Sequence, residues 1–409
     1  MNEWCHMSNM DDVRAEWAIG ESIQRLRKAA LMTQDDLAAA AGVSTDLIRK
    51  LEQGRRHTAS IGSLHRIAAA LDVDLGGLLS RESMPEAAPD AGVVALRQAV
   101  ADVADLLGDV EGEPLSLGDA QRSVTYLWGA YWAGKYDQLT GLLPQALMGL
   151  RATLHAADVA SRPSAAEQLA WGYWVAASTL THLLHPDAAL LAIRRAVQLA
   201  KGTDDPLFAA ALKGSVSWQL MVGGRFVEAE RVAVRTAEGI EPHREVAVQQ
   251  LSVYGSLLVT AATAAARDNR RRAAGDFLES AAEVAQRVGA DRTDYETPFG
   301  PSQVTMQTVD VSVVTEDYPA ALAAASQMPA NPGLPLAARC RHLTDRACAH
   351  ANLGQEKQAL MLLLTAEGMG PDWIRHQSLA RAVTRDLLVA ERARSTPLRE
   401  LAKRIGVNR

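Results

Sequence analysis

Cysteine and aromatic residues are scarce in this chain of 409 residues. There are three cysteines, Cys5, Cys340 and Cys348. An odd and small number of thiols in so long a chain does not form a disulfide framework, so we expect a protein of a reducing compartment. Aromatic residues make up 5%, and 7 Lys stand beside 35 Arg. The frequent Ala and Arg favour helices, because both residues are good helix formers.

Long apolar runs and a secretory leader are also missing. We find no stretch of about 18 uninterrupted apolar residues. The opening MNEWCHMSNMDDVRAEW has neither the basic flank nor the apolar segment of a signal peptide. These absences predict a cytoplasmic protein that does not contact a membrane. With 48% apolar and 22% charged residues, the chain is too apolar to be disordered and long enough for two or three domains.

The alternating pattern of β-strands is almost absent, which predicts an all-α fold. Pro and Gly cluster at 80–92 and at 108–118, as in linkers. We therefore expect a small helical domain at 20–80, a linker at 81–118 and a long helical body at 119–409. Within the linker, a helix is expected at 92–108. Its apolar residues follow the narrow seam of a heptad pattern: Val93, Leu96, Val100, Val103 and Leu107. Two heptads are too short to hold a dimer alone, so we favour docking of this helix on the body over pairing with its twin.

Five short helices are expected between residues 20 and 80. Thr33 is placed to cap the second helix, with a carboxylate three residues on, and Gly42 ends it. Ser44 caps a third helix, which Gly54 stops, and a final turn covers 75–79. The second and third helices, joined through a glycine turn, make a helix-turn-helix.

The residues of this block resemble the Cro/cI-type DNA-binding domain of bacterial regulators (the XRE family). The resemblance runs without a gap over about 60 residues, and its residues are Ile23, Leu26, Arg27, Thr33, Gln34, Leu37, Ala38, Ala41, Gly42, Val43, Ser44, Ile48, Leu51, Glu52, Gly54, Leu64, Ile67, Ala68 and Leu71. Residues 21–66 carry a charge of +3, within a chain of −6. A basic module on an acidic body suits a DNA-binding domain.

The resemblance implies that the third helix enters the major groove. Its outward residues, which we expect to contact bases, are Thr45, Asp46, Arg49 and Lys50. Residues at helix starts or just after the third helix suit phosphate contacts, namely Gln34, Ser44, Arg55 and Arg56. The alternative is that Arg49 and Lys50 form an ordinary solvated helix face. Arg27 and Glu52 match an internal ion pair of the family, which assigns them to structure.

Beyond residue 119 the sequence repeats loosely. Each unit joins two helical stretches through a short turn and carries a small or apolar landmark residue early in the second stretch. The landmarks are Leu139, Ala189, Ala229, Ala274, Ala321 and Ala359. The pattern of Gly224, Phe226 and Ala229 resembles the tetratricopeptide repeat, although the spacings exceed 34 residues. We therefore expect about six degenerate helical hairpins in an α-solenoid.

In tetratricopeptide arrays the first helix of each repeat lines a groove. The corresponding positions here are aromatic or apolar in the first three units, at Trp128, Tyr131, Trp171, Trp174, Trp218 and Met221. In the last units they are mostly polar, at Gln303, Met306, Asp310 and Arg341. An amphipathic ligand, such as a short peptide or a secondary metabolite, would match the aromatic and the polar positions of this groove. The alternative is that Trp128, Trp171 and Trp174 are core residues between helices.

Enzymatic motifs are missing, since we find no phosphate-binding glycine loop and no nucleophile elbow. Cys340, His342, Cys348 and His350 share one helix but do not place three ligands on one face. His182 and His185 suit surface or capping positions. The sequence therefore predicts neither an enzyme nor a metal site, and no cofactor.

The combination of a Cro/cI-type module with helical repeats resembles ligand- or peptide-sensing bacterial regulators. The composition, which is rich in Ala and Arg, resembles that of their actinobacterial members. The resemblance implies a transcription regulator that dimerises through its repeats, binds a double-stranded, palindromic operator and senses a small molecule or peptide. The alternative is a protein-interaction scaffold or antitoxin-like adaptor that binds DNA only for autoregulation.

Overall fold

Four short helices open the part of the chain that the computed structural model describes. That part comprises residues 18–30, 32–56, 59, 61–71, 73, 91–103, 110–243, 246–329, 331–390 and 395–407. The chain divides into two compact units. One contains residues 1–86, 347–364 and 378–409, and the other contains residues 87–346 and 365–377.

The N-terminal helices follow the caps that the sequence predicts. They are α1 (Ala18–Ala29), α2 (Gln34–Ala41), α3 (Thr45–Glu52) and α4 (Ile61–Ala70). Thr33 forms a full capping box with Asp36, the Ser44 hydroxyl accepts from the Leu47 amide, and Gly42 ends α2 in the left-handed region. The predicted turn at 75–79 lies outside the described residues.

A small core holds these helices together. Ile23, Leu37, Ile48 and Ile67 are each 0% exposed and come from all four helices. Gly20 lies against the end of α3, where a Cβ would be 2.0 Å from the Leu51 carbonyl oxygen. Close packing of α1 on α3 therefore depends on the small residue at this position.

The ion pair expected between Arg27 and Glu52 is confirmed. Arg27 Nε donates to Glu52 Oε1 at 2.6 Å and Nη2 donates to Oε2 at 2.9 Å. Gln34 Nε2 also donates to Glu52 Oε2, at 2.8 Å, so α1, α2 and α3 meet at one carboxylate. Burial opposes ionisation of Glu52, but the hydrogen bonds from Arg27 and Gln34 outweigh it and hold the pKa of Glu52 below its ordinary value.

Six helical hairpins follow, as the sequence predicts. Their paired helices are α6 (Leu117–Trp132) and α7 (Tyr136–Ala156), α8 (Arg162–His182) and α9 (Pro186–Ala200), α10 (Pro206–Val222) and α11 (Phe226–Glu238), α12 (Val248–Arg267) and α13 (Arg271–Val288), α14 (Pro301–Val314) and α15 (Tyr318–Ala325), and α16 (Leu336–Asn352) and α17 (Glu356–Met369). In the first four hairpins each first helix also contacts the first helix of the next hairpin. These first helices form one layer.

The predicted linker helix is present but shorter than expected. It is α5 (Ala91–Ala101) and packs against α7, with Val93, Leu96 and Val100 buried. The chain leaves the helix at Asp102, where Arg151 Nη1 donates to the carboxylate at 2.9 Å and Arg195 Nη2 donates to the carbonyl at 2.8 Å. Val103 is 50% exposed beyond the helix end, and Leu107 lies outside the described residues. Within the chain, α5 therefore packs on the repeats, and its part in a dimer stays a prediction.

One turn geometry recurs in all six hairpins. The residue two positions before each second helix has a positive φ of 61° to 76°; these residues are Gly134, Leu184, Gly224, Asn269, Glu316 and Gly354. The landmark residues that follow, from Leu139 to Ala359, are each 0% exposed. A left-handed residue turns the chain sharply, and the buried landmark lets the second helix lie against its neighbours.

A two-stranded hairpin between α13 and α14 is the feature that the all-α expectation missed. Strand β1 (Arg292–Asp294) pairs antiparallel with β2 (Thr297–Phe299) through a two-residue turn, Tyr295 and Glu296. The strands have three residues each, too few to show an alternating pattern, and the turn lacks the usual Asn or Gly. Three further helices close the chain: α18 (Pro371–Arg375), α19 (Ser378–Ala390) and α20 (Thr396–Arg404).

Replacing Leu184 by glycine is expected to stabilise the protein. Leu184 has a φ of 65° and is 56% exposed, so its side chain adds strain and little packing. We expect Leu184→Gly to raise the free energy of unfolding by about 0.5 to 1 kcal/mol, measured by scanning calorimetry. The matched reverse change, Gly354→Ala, meets no atom within 4 Å and should lower it by about 1 kcal/mol through backbone strain. A loss of stability in Leu184→Gly would contradict the strain argument.

Removing Arg27 is expected to loosen the N-terminal helices. Arg27→Ala leaves the buried Glu52 without its cation, which costs about 3 to 5 kcal/mol in comparable sites. Amide hydrogen exchange of the full chain should then be faster in residues 18–52 by two or more orders of magnitude (~1.4 kcal/mol for each factor of ten). Lys50→Ala breaks only the exposed pair with Asp46 and serves as the control, with an expected effect below about 1 kcal/mol. Equal exchange in both variants would show that the pair does not support the fold.

Candidate functional sites

Helix α3 presents a polar face. Asp46, Arg49 and Lys50 are exposed, whereas Leu47, Ile48 and Leu51 are buried in the core. Lys50 Nζ pairs with Asp46 at 2.7 Å one helical turn away. The hydrogen bond from Lys50 lowers the pKa of Asp46. Asp46 thus holds the Lys50 ammonium close to the start of α3, while Arg49 is exposed beside it.

The other predicted DNA contacts divide into two groups. Arg55 is exposed and Arg56 is half-buried just after α3, and Thr45 is half-buried at its first turn. Ser44 caps α3 with its hydroxyl, and Gln34 donates to Glu52. The structure therefore gives Ser44 and Gln34 roles inside the domain, and it leaves Arg49 in the last turn of α3 and Arg55 just after α3 as exposed cations.

A cavity of about 310 Å³ lies among the first helices of the repeats. Every residue predicted for the groove lines it except Trp171: Trp128, Tyr131, Trp174, Trp218, Met221, Gln303, Met306, Asp310 and Arg341. The helices that contribute these predicted residues are α6, α8, α10, α14 and α16, which extend over most of the repeat region. They share the cavity because the recurring turn places the first helices in one layer.

Aromatic rings pack edge to face at one end of the cavity. The centroid of Trp128 lies 5.2 Å from Tyr131 and 5.4 Å from Trp174, both nearly perpendicular to it, and Trp132 is stacked at 6.2 Å. Trp128 is only 3% exposed, yet it lines the cavity. The core and the groove interpretations of this residue therefore do not exclude each other, because the wall of the cavity is part of the core.

Two aromatic positions depart from the expectation. Trp171 stacks on Trp174 at 5.0 Å and contacts Phe208 at 4.5 Å, on the side away from the cavity lining. The surface or capping role expected for His182 is wrong. Its ring stacks on Tyr136 at 4.7 Å, its Nε2 lies 3.1 Å from the Tyr131 hydroxyl, and burial lowers its pKa to about 3.

Charged groups meet at the other end of the cavity. Asp310 is 4% exposed and accepts from Arg267 at 3.2 and 3.3 Å and from Arg341 Nη2 at 2.5 Å. Arg341 Nε also donates to Asp345 at 2.9 Å, so two arginines face two aspartates. Burial raises the pKa of Asp345 to about 7. Burial acts the same way on Asp310, but its two arginines outweigh it and lower its pKa.

Several residues that line the cavity were not predicted from the sequence. Trp132 follows a predicted position by one residue, and Arg267 lies at the end of α12, beyond the predicted face. Glu296, Thr297 and Pro298 reach the cavity from the β-hairpin. No local signal in the sequence marks these hairpin residues as part of a site.

No set of three or more His, Cys, Asp and Glu side chains suited to a metal occurs among the described residues. Cys340 and Cys348 are buried and carry reduced thiols. Within the same part of the chain, every helix is too short or too polar to cross a membrane.

Comparisons with known proteins agree with the N-terminal geometry. Residues 23–78 match the family described as Helix-turn-helix. A segment of 71 residues is 31% identical to the uncharacterized HTH-type transcriptional regulator RghRB of Bacillus subtilis, covering 17% of this chain and 51% of that protein. The chain thus spans about half the length of this curated relative.

Among solved structures, Bacillus thuringiensis PlcR, crystallised with the peptide PapR7 and DNA, matches 66% of this chain and 95% of its own. The identity is 13% and the TM-score 0.33. The family match covers the helices around the Arg27–Glu52 pair. The N-terminal part of the chain is therefore a helix-turn-helix domain of the Cro/cI type, followed in this protein by tetratricopeptide-like helical hairpins.

Proposed function

We propose that the protein is a sequence-specific, DNA-binding transcription regulator. The observation that carries this proposal is the exposed face of α3, with Arg49 and Lys50, on a helix-turn-helix domain of a DNA-binding type. Helix α3 is held by the shared carboxylate of Glu52, so its outward side chains keep one arrangement. A fixed recognition helix can select one base pattern, since each bidentate contact contributes about 1 to 3 kcal/mol of discrimination.

We further infer that the protein acts in the cytoplasm as a homodimer on a palindromic operator. One recognition helix reads only a few base pairs, and domains of this type gain specificity when two copies bind half-sites about 34 to 36 Å apart. The helical hairpins supply the surface for dimerisation in this proposal.

The cavity in the hairpins is proposed to bind a small-molecule or peptide effector. Its aromatic end and its charged end favour an amphipathic ligand, and about 310 Å³ lies at the small end of known ligand sites. A ligand that binds one arrangement of the hairpins more tightly than another shifts the population of arrangements. In a dimer, this shift would change the spacing of the two recognition helices. No catalytic role is proposed.

The two exposed arginines of the DNA interface should behave differently. Arg49→Ala should weaken binding to a selected operator by about 1 to 3 kcal/mol and relax the preference at one base pair. Arg55→Ala should weaken binding to all sequences alike and reduce the slope of affinity against salt by about one unit. Fluorescence anisotropy with the operator and a scrambled duplex at several salt concentrations measures both effects.

Arg122→Ala is the matched control, because it removes an equally exposed cation from α6 in the repeats. Its operator affinity should equal that of the wild type. If Arg49→Ala and Arg55→Ala also bind like the wild type, α3 does not face DNA. If the wild type shows no sequence preference at all, the scaffold interpretation replaces the regulator.

Trp218 should contribute to ligand binding more than to folding. It lines the cavity and is half-buried, with its ring 5.5 Å from His182. We expect Trp218→Ala to weaken binding of the uncharged dye N-phenyl-1-naphthylamine about tenfold, which corresponds to lost contact with one aromatic ring. Energy transfer from tryptophan to the dye reports the binding. Trp171→Ala, a ring outside the lining, is the control, and equal weakening in both variants would place the dye elsewhere.

A further inference from the structure

The tip of the β-hairpin brings a carboxylate to the aromatic end of the cavity. Tyr295 and Glu296 both have positive φ, 50° and 52°, in a turn that normally uses Asn or Gly. Such backbone strain in non-glycine residues persists only where surrounding contacts hold it, and it is common at ligand sites. We therefore expect the side chains of these two residues to make contacts that offset the strain of the turn.

Contacts from two distant helices hold the tip. The indole N–H of Trp132, at the end of α6, donates to Glu296 Oε2. The Tyr295 hydroxyl donates to Asp205 Oδ2 at 2.8 Å, and Asp205 caps α10. At the base of the hairpin Phe299 is 1% exposed and lies over Gly255, where a Cβ would be 2.0 Å from the Phe299 ring. The position of Glu296 is therefore fixed from three sides.

Glu296 is a partly buried carboxyl group that has no cationic partner in the described part of the chain. Among the described residues, no Lys, Arg or His nitrogen lies within 4.0 Å of its carboxylate, and its hydrogen bond comes from the neutral Trp132. Burial raises the pKa of Glu296, as expected for a carboxyl group without a cation. At the opposite end of the cavity, by contrast, Asp310 and Asp345 face Arg267 and Arg341.

An unbalanced carboxylate beside electron-rich rings suits a positively charged ligand. The faces of Trp and Tyr attract cations within about 6 Å of the ring centre, and Trp does so most strongly. Trp128, Tyr131, Trp132, Trp174 and Trp218 all line the cavity together with Glu296. An anionic ligand would instead meet the Glu296 charge and arginines that already have carboxylate partners.

We propose that the cavity is specific for an organic ammonium group, held between the aromatic rings and the Glu296 carboxylate. This inference rests on the proposed sensor role of the same cavity and names the chemistry of its ligand. The ammonium group replaces the missing countercharge of Glu296, and an apolar body attached to it contacts the indole rings. The strained turn then positions the one acidic side chain that selects for charge.

The test compares a cation with its uncharged isostere. Benzyltrimethylammonium and neopentylbenzene have the same shape and differ in one positive charge. Each competes with N-phenyl-1-naphthylamine for the full-length protein in a buffer of about pH 8. We expect the cation to bind at least about tenfold more tightly than the isostere, as for a desolvated cation–π and carboxylate site.

Glu296→Gln is the decisive variant, because its amide oxygen still accepts from Trp132 while the charge is lost. It should weaken benzyltrimethylammonium about tenfold and leave neopentylbenzene unchanged. Glu167→Gln is the matched control. Glu167 also accepts from an indole N–H, that of Trp171 at 3.4 Å, but it does not line the cavity. Its affinity for both probes should equal that of the wild type.

The outcomes separate this inference from the sensor proposal. If both probes displace the dye equally and Glu296→Gln changes neither affinity, the cavity binds ligands but has no preference for a cation, which overturns the inference alone. The same holds if 3-phenylpropionate, an anion, binds best and gains affinity in Glu296→Gln. If the dye and all probes fail to bind, both proposals fail together.

Two further probes identify the kind of ammonium group. Phenylalanine amide and its N-acetyl derivative, compared at about pH 6 where the free α-amine is protonated, differ in one ammonium group like that of a peptide terminus. Tighter binding of phenylalanine amide than of benzyltrimethylammonium would support the inference with a peptide-like amine as ligand, and the reverse order would support it with a small quaternary amine. Equal binding of phenylalanine amide and its acetylated form, together with no preference for benzyltrimethylammonium, would overturn it.

Discussion

The close return of each second helix onto its first is the constraint on which the repeat region depends. A left-handed residue at one fixed position, followed by a fully buried landmark such as Ala229, produces this return in all six hairpins. Because the geometry repeats, the first helices of successive hairpins pack together as one layer. Residues as distant in sequence as Trp128 and Arg341 therefore line one cavity. The site is a product of the repeat and not of any local motif.

Buried carboxylates have different partners in the N-terminal domain and in the cavity of the repeats. In the N-terminal domain Glu52 has its countercharge in Arg27, and the pair fixes three helices. In the cavity, Asp310 has two arginines and Gln307 as partners. Desolvation makes such pairs costly, so they specify an arrangement more than they add stability. Among the residues that the structure describes, Glu296 has a hydrogen bond from Trp132 and no cationic partner, so a cationic ligand would change its environment more than that of Asp310.

Sequence patterns predicted the features that depend on nearby residues. The caps at Thr33 and Ser44, the turn glycine and the landmark positions need only a few neighbouring residues. The repeat register also placed most of the cavity lining. It failed for Trp171, which faces Phe208, and for the β-hairpin, whose strands are too short for a pattern. His182 was missed because its burial comes from rings on other helices. These failures concern contacts between distant segments, which periodicity does not encode.

The β-hairpin connects three of the helical hairpins. Its base is fixed by Phe299 over Gly255 of the fourth hairpin, and its tip holds Trp132 of the first and Asp205 of the third. In the proposal above, a ligand ammonium group supplies a countercharge to the same carboxylate that accepts the Trp132 hydrogen bond. If two arrangements of the helical hairpins bind the ligand with different affinity, ligand binding in the cavity shifts the population toward the arrangement that binds more tightly. In that case the Glu296 carboxylate both binds the ligand and couples ligand binding to the first hairpin through Trp132. The linker helix α5 packs against this first hairpin.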